Sequence, residues 1–485
     1  MTIAPDRRHF LSLLGAAAAT AVITPEQALA GAAPAGWTLG VADVEADIPL
    51  QALRRVHGRA PRGFAGTLYR NGPAKFRRGS GQSGHWFDGD GLMRRWHIAD
   101  GRASLNARFA DTPKRRLETR LNAMVIPGFG TAPGAGAELG GPDDANAANT
   151  GALMAGDDLF ALWEGGSALR MDPETLETRG FKAFRRDLAQ MPFSAHPRIE
   201  PDGSVWNFGG NGRRTAIWRL NADRSLAAMT MIALPRPSYF HDFTMTARHL
   251  IIVLQPWLQE GVRFPIATAM AWRPELGTQI LVLDKADLSQ RRIFELPAFS
   301  FFHLGDGWEE TDGTIRFDGC LEADPTFGQS AASALLRGEH VRVPQPTLTQ
   351  VVLHASGSAT LHSAGAEAEF PQSDRRLAGL ARRNTVHVTG YRATPFPHAL
   401  GRWDWQRGRG QRHDFGSHQL VEEFLFVPRG SGEGDGWLVG TTLNLRARAT
   451  ELHVLDAARL DDGPLVTWRA DVPLPIGFHG TWRGA

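Results

Sequence analysis

Four of the seventeen histidines sit in apolar or aromatic settings far apart along the chain. Three follow directly on phenylalanine, in Phe240-His241-Asp242-Phe243, Phe302-His303 and Phe478-His479-Gly480; the fourth lies in Phe193-Ser-Ala-His196-Pro197. One histidine in such a setting is ordinarily a core residue with a satisfied ring. Four together have another use, because imidazoles brought to one point make a metal site that needs no other side chain. The single cysteine, Cys320, excludes a disulfide framework and a cysteine-ligated metal. Hydrolase chemistry lacks its usual marks: there is neither a Gly-x-Ser-x-Gly elbow nor a His-Glu-x-x-His helix.

The elements available to gather these histidines are short β runs separated by turns. Examples are 158–163, 203–208, 216–220, 250–254, 279–283, 314–318, 348–353, 436–440 and 451–455, punctuated by 54 glycines and 30 prolines. Many short strands at near-even spacing indicate an all-β sandwich, barrel or propeller. A sandwich of this length would have to be duplicated, and no composition break marks two halves. A seven-bladed β-propeller absorbs the chain at about 65 residues per blade, the surplus over a compact blade forming loops that make a dome over one face. The histidine intervals of 45, 62 and 176 residues then read as one, one and three blades, so equivalent positions would converge on the propeller axis. The Gly/Ala/Pro/Asp-rich segment 128–150 reads as a surface loop.

Several stretches in this order resemble the carotenoid cleavage oxygenases. Gly66-Thr-Leu-Tyr-Arg-Asn-Gly-Pro73 and His85-Trp-Phe-Asp-Gly-Asp-Gly91 are similar to that family's N-terminal signature. His196-Pro and His241-Asp-Phe resemble two of its ligand motifs, Glu422-Glu-Phe-Leu-Phe-Val-Pro-Arg429 its late glutamate strand, and Val472-Pro-Leu-Pro-Ile-Gly-Phe-His-Gly-Thr-Trp482 its ending. The resemblance spans almost the whole chain after its N-terminal segment. It implies a seven-bladed propeller with Fe(2+) on His196, His241, His303 and His479. Behind the ligands it implies Glu164, Glu369 and Glu423, with Glu422 as a rival for the last. Four neutral ligands leave the metal charge uncompensated, so negative charge is needed one layer out, where it also fixes each ring's orientation. One departure stands out: where the family has an Asn-Ala pair after the third histidine, this chain has Asp306-Gly307.

The activity implied is an iron-dependent dioxygenase cleaving a C=C bond of a carotenoid or apocarotenoid to carbonyl products. Stilbene or lignostilbene cleavage is the alternative, and a non-catalytic, metal-bearing binding propeller is the rival from another class. Stilbene-cleaving members grip a phenol with a tyrosine and a lysine; the matching positions here are Phe109 and Trp163. With Phe302, these are the expected substrate-pocket residues. The partners are therefore a small apolar conjugated molecule and O2. Peripheral contact with a membrane through residues 250–272 is one reading of that segment, and buried loop packing is the other. Formal charge is only +2, with arginine spread rather than clustered, so no nucleic-acid partner is expected.

The N-terminus carries Arg7-Arg8, an Ala/Leu-rich run and Ala28-Leu-Ala30. It reads as a twin-arginine export signal over 1–30, leaving 31–485 as one domain in a periplasmic or secreted protein. A short amphipathic tail is the other reading.

Overall fold

The apolar runs named above are all strands, and each lies in the interior of its sheet rather than at an edge. His249–Leu254 and Thr278–Asp284, for example, are the two middle strands of one four-stranded antiparallel sheet. A strand between two others, in a sheet packed between two more, is apolar on both faces; all six residues of His249–Leu254 are buried. Edge strands read differently. Leu226–Ala233 and Arg409–Asp414 are largely exposed, and neither stands out in the sequence.

The computed structural model describes residues 36–210, 212–391 and 394–485; the expected export signal lies outside them. Seven antiparallel sheets of four to six strands follow one another along residues 48–484 and form the seven blades of a propeller. The inner strands are Gly480–Gly484, Gly151–Ala155, Arg198–Ile199, Thr244–Met245, Ser300–Glu309, Glu369–Gln372 and Gln419–Pro428, and several consecutive ones touch around the axis.

The ring is closed from both chain ends. Ile48–Ala52 forms the outer edge of the first blade and Arg54–Gly58 that of the seventh. The C-terminal strand Gly480–Gly484 pairs with Gly66–Arg70, placing Trp482 in a stack on Phe64 at 5.3 Å. Next to this seam two backbones nearly touch: a Cβ on Gly72 would lie 2.4 Å from the Gly477 Cα. That approach lets the Phe478 amide donate to the Asn71 carbonyl (2.8 Å) and the Asn71 amide to the His479 carbonyl (3.0 Å).

Long connections build a dome over one face, and the His85–Gly91 motif pins it. The His85 ring bonds the Gly328 carbonyl at 3.0 Å, and the Asp88 carboxylate accepts from the Phe129, Gly130 and Thr131 amides. Segment 128–150 is only in part a surface loop. Asn146 to Asn149 are buried, and the Asn149 amide donates to the Phe87 and Gly89 carbonyls, both at 2.7 Å. The composition hid this because small residues suit close packing as well as turns. Segment 250–272 is likewise mostly interior: Trp257 and Leu258 are buried, and Ile266 and Met270 face a cavity. Its exposed large hydrophobic residues are Val262 and Phe264, in the stretch 260–264. Among the described residues no helix is long and apolar enough to cross a membrane.

Removing residues 480–485 should leave the Gly66–Arg70 edge unpaired and lower the melting temperature by more than about 5 °C. An unchanged calorimetric midpoint would mean that the ring does not depend on this closure.

Candidate metal centre

Each blade delivers one residue to the axis. His479 precedes the inner strand of the first blade, Glu164 follows Asp158–Leu162 of the second, and His196 precedes Arg198–Ile199 of the third. His241 comes just before the inner strand of the fourth, His303 lies within that of the fifth, Glu369 opens that of the sixth, and Glu423 lies in that of the seventh. A bulge in the fifth blade between Phe301 and Leu304 and another in the seventh between Val421 and Phe424 interrupt the pairing at His303 and Glu423.

The four histidines, distant in sequence, offer ring nitrogens that all lie within 4.8 Å of one another. The Nε2 atoms of His196 and His241 are 2.8 Å apart, and those of His303 and His479 are 3.0 Å apart. The opposite nitrogens face carboxylates. His303 Nδ1 lies 2.5 Å from Glu369 Oε2, His479 Nδ1 lies 3.0 Å from Glu423 Oε1, and His241 Nδ1 bonds Glu164 Oε1. Among the described residues His196 has no such partner, Asp242 coming to 3.9 Å. Carboxylates accept, so they hold the ring protons of His241, His303 and His479 on Nδ1. Between His303 and His479, two Nε2 lone pairs then face each other with no proton to share. A cation is the group that satisfies such a donor set, and neutral imidazoles fit a divalent transition metal.

The electrostatics agree. Burial and the neighbouring imidazoles push His196 and His303 well below the usual histidine range, which keeps their lone pairs free. Burial alone would lower His241, but the Glu164 charge outweighs it and raises the ring. Burial pushes Glu369 up to about 7. Burial also works against Glu423, yet His479, Arg70 and the Gly480 amide bring it down to about 2.

Glu423, rather than Glu422, stands behind a histidine. It also takes 2.8–2.9 Å bonds from Arg70, Gln372 and the Gly480 amide, whereas Glu422 is committed to Arg94 at 2.9 Å. Trp163 and Phe302 border a cavity of about 380 Å3 next to the histidines, Phe302 meeting His241 edge-on at 5.5 Å. Phe109 does not. It is buried in the first blade under Arg115, and the phenylalanines that line the cavity on either side of it in sequence are Phe87 and Phe129. Phe109 shares the buried register of its strand with Ala103, Leu105 and Ala107, which packs inside the blade. Asp306 bonds Ser373 and Arg198 in a smaller, polar cavity of about 110 Å3 that His196, His303 and His479 also border.

Sequence reasoning missed three braces. Tyr239 donates to Glu164 at 3.1 Å. Asp242 takes Arg198 through both oxygens at 2.8 and 2.7 Å and also the Leu304 amide, tying the third, fourth and fifth blades together. Arg70 joins Glu423 to the Phe478 carbonyl at 2.8 Å. Only their adjacency to motif residues could have marked them. Phe370, at φ +51°, lays its ring on His303 at 4.8 Å.

An all-β propeller with an all-histidine centre backed by three glutamates defines the class of protein. Residues 41–484 match the family model described as retinal pigment epithelial membrane protein, and the chain belongs to this family, the carotenoid cleavage oxygenases. It is 28% identical to an isoeugenol monooxygenase from Pseudomonas nitroreducens, over 88% of this chain and 93% of the relative. It is 27% identical to the apocarotenoid-15,15'-oxygenase of Synechocystis, over 93% and 94% respectively. The structure of cobalt-substituted Synechocystis apocarotenoid oxygenase superposes with a TM-score of 0.83 at 25% identity, covering 93% of this chain and 99% of that one.

His241→Ala should abolish metal binding, measured as metal content after anaerobic purification; full occupancy would remove His241 from the centre. Glu164→Gln should weaken metal retention by roughly 10–100-fold without unfolding, read by competition with a chelator.

Proposed function

We propose that this protein is an iron(II)-dependent oxygenase that cleaves a C=C bond of a carotenoid or apocarotenoid to give carbonyl products. The observation that carries the reading is an apolar, aromatic cavity of about 380 Å3 lined at the centre by the imidazoles of His241, His303 and His479. His196, His241, His303 and His479 would hold the iron. Iron bound there supplies the activation of dioxygen.

The chain's own contribution is placement and exclusion. Trp86, Phe87, Phe129, Phe302 and Phe327 present flat apolar faces to the cavity, where a conjugated chain gains on the order of 25 cal/mol per Å2 buried. The same walls keep water from the reacting bond. Glu164, Glu369 and Glu423 fix the ring orientations, and the reaction asks for no acid–base pair.

Trp163 stands where a phenol-gripping lysine would be needed, which favours the apocarotenoid over the stilbene reading. Cleavage of a smaller aromatic alkene has one observation behind it, the similarity to an isoeugenol-oxidising relative. Incubating the iron-loaded protein with an apocarotenal, resveratrol and isoeugenol, followed by product analysis, separates these readings. Two carbonyl fragments from the apocarotenal are expected. Iron content without oxygen consumption on any of the three would instead indicate a binding propeller.

A lipid surface is the proposed source of substrate. Val262, 84% exposed, and Phe264, 42% exposed, lie close in sequence to Ile266 on the cavity wall, and Val341, 43% exposed, also lines the cavity. Replacing Val262 and Phe264 together by serine should reduce co-sedimentation with phospholipid vesicles several-fold; equal binding of both proteins would remove this patch from the proposal.

A further inference from the structure

The large cavity is apolar except at a few points, and two of its polar groups are not used by the metal centre. Glu322 ends the strand Ile315–Glu322, paired opposite Ser300. Glu322 and Phe302 both line the cavity. Glu322 is only 7% exposed, and among the described residues its side chain makes no hydrogen bond or ion pair. Tyr391 lines the same cavity, and its hydroxyl has no hydrogen-bond partner among the described residues either.

A carboxyl that reaches only into an apolar chamber, with no protein partner, must be satisfied by water or by a group of the ligand that fills the chamber. We infer that Glu322 and Tyr391 form a polar anchor that binds a hydroxyl or carbonyl oxygen at one end of the conjugated substrate, with Glu322 acting as a neutral hydrogen-bond donor. This rests on the reading of the cavity as the site of alkene cleavage and narrows the substrate to an oxygenated one.

The surroundings support the neutral form. Burial, together with the negative charges of Glu369 and Asp324, raises the Glu322 carboxyl well above its ordinary range. Burial first, with Glu369, Cys320 and Glu322 adding to it, raises the Tyr391 phenol likewise, so it too remains a donor. A donor pair in an apolar chamber discriminates through the cost of leaving its groups unpaired, which a hydrocarbon end cannot relieve. It also fixes how far the conjugated chain slides along the cavity, and hence which double bond lies at the imidazoles. Glu322 and Tyr391 are positioning residues in this sense and touch no reacting atom.

The test is a ratio of affinities, read by quenching of tryptophan fluorescence on the metal-loaded protein under anaerobic conditions. The two pairs are para-hydroxystilbene against stilbene, for a hydroxyl, and an apocarotenal against the hydrocarbon lacking its aldehyde, for a carbonyl. Native protein should favour the oxygenated member of at least one pair by about tenfold or more. Glu322→Leu should bring that ratio to about one, and Glu322→Gln, which still donates, should keep most of it. No preference in the native protein, an unchanged ratio in Glu322→Leu, or a Gln variant that behaves like Leu would overturn the assignment. Because binding is read apart from turnover, a protein that discriminates but cleaves nothing would sink the oxygenase reading and leave the anchor standing.

Discussion

Two imidazole lone pairs facing each other at 3.0 Å, each ring held in that tautomer by a carboxylate on its far nitrogen, form the arrangement on which the rest of the structure depends. Without a cation such a cluster repels itself, so the fold must hold it by force of packing. The means are visible around it. Asp242 and Arg198 lock three consecutive blades at the axis, while Arg70 and the Gly72–Gly477 contact lock the first blade to the last ligand.

A propeller suits this task because its innermost strands are already neighbours. A ring of seven can turn one side chain per blade toward its axis, and this chain spends four on imidazoles and three on the carboxylates behind them. Closure of the ring and completion of the centre are therefore one event. The strand that follows His479 is the one that seals the first blade, and its partner strand ends in Arg70, which holds Glu423.

The dome gives the centre its chemical surroundings. Its aromatic residues come from loops pinned by buried polar contacts: His85 to Gly328, Asp88 to the 129–131 amides, Asn149 to Phe87 and Gly89. Much of the conspicuous Gly66–Gly91 signature thus serves architecture, fixing where Phe87 and Phe129 stand. The same histidines also border a small polar cavity, so the centre lies between an apolar chamber and a charged one.

By itself the sequence determined which side chains could meet and what kind of scaffold would bring them together. Middle strands such as His249–Leu254 betray themselves as apolar runs because they are buried on both faces. The histidine intervals matched one, one and three blades because a repeated unit makes distance along the chain proportional to angle around the axis. Tertiary structure alone decided the rest. Five of the seven inner strands have five residues or fewer, and outer ones are polar because they meet water, so neither kind announces itself as an apolar run. A bulge sets Glu423, the residue favoured in the sequence, rather than Glu422 behind His479, and Phe109 packs inside the first blade while Phe129 faces the cavity. Glu322 looked like any strand-end acid until the packing left it buried, facing a chamber, with no described partner. Burial and partnership arise between segments far apart in the chain, and local pattern holds no record of them.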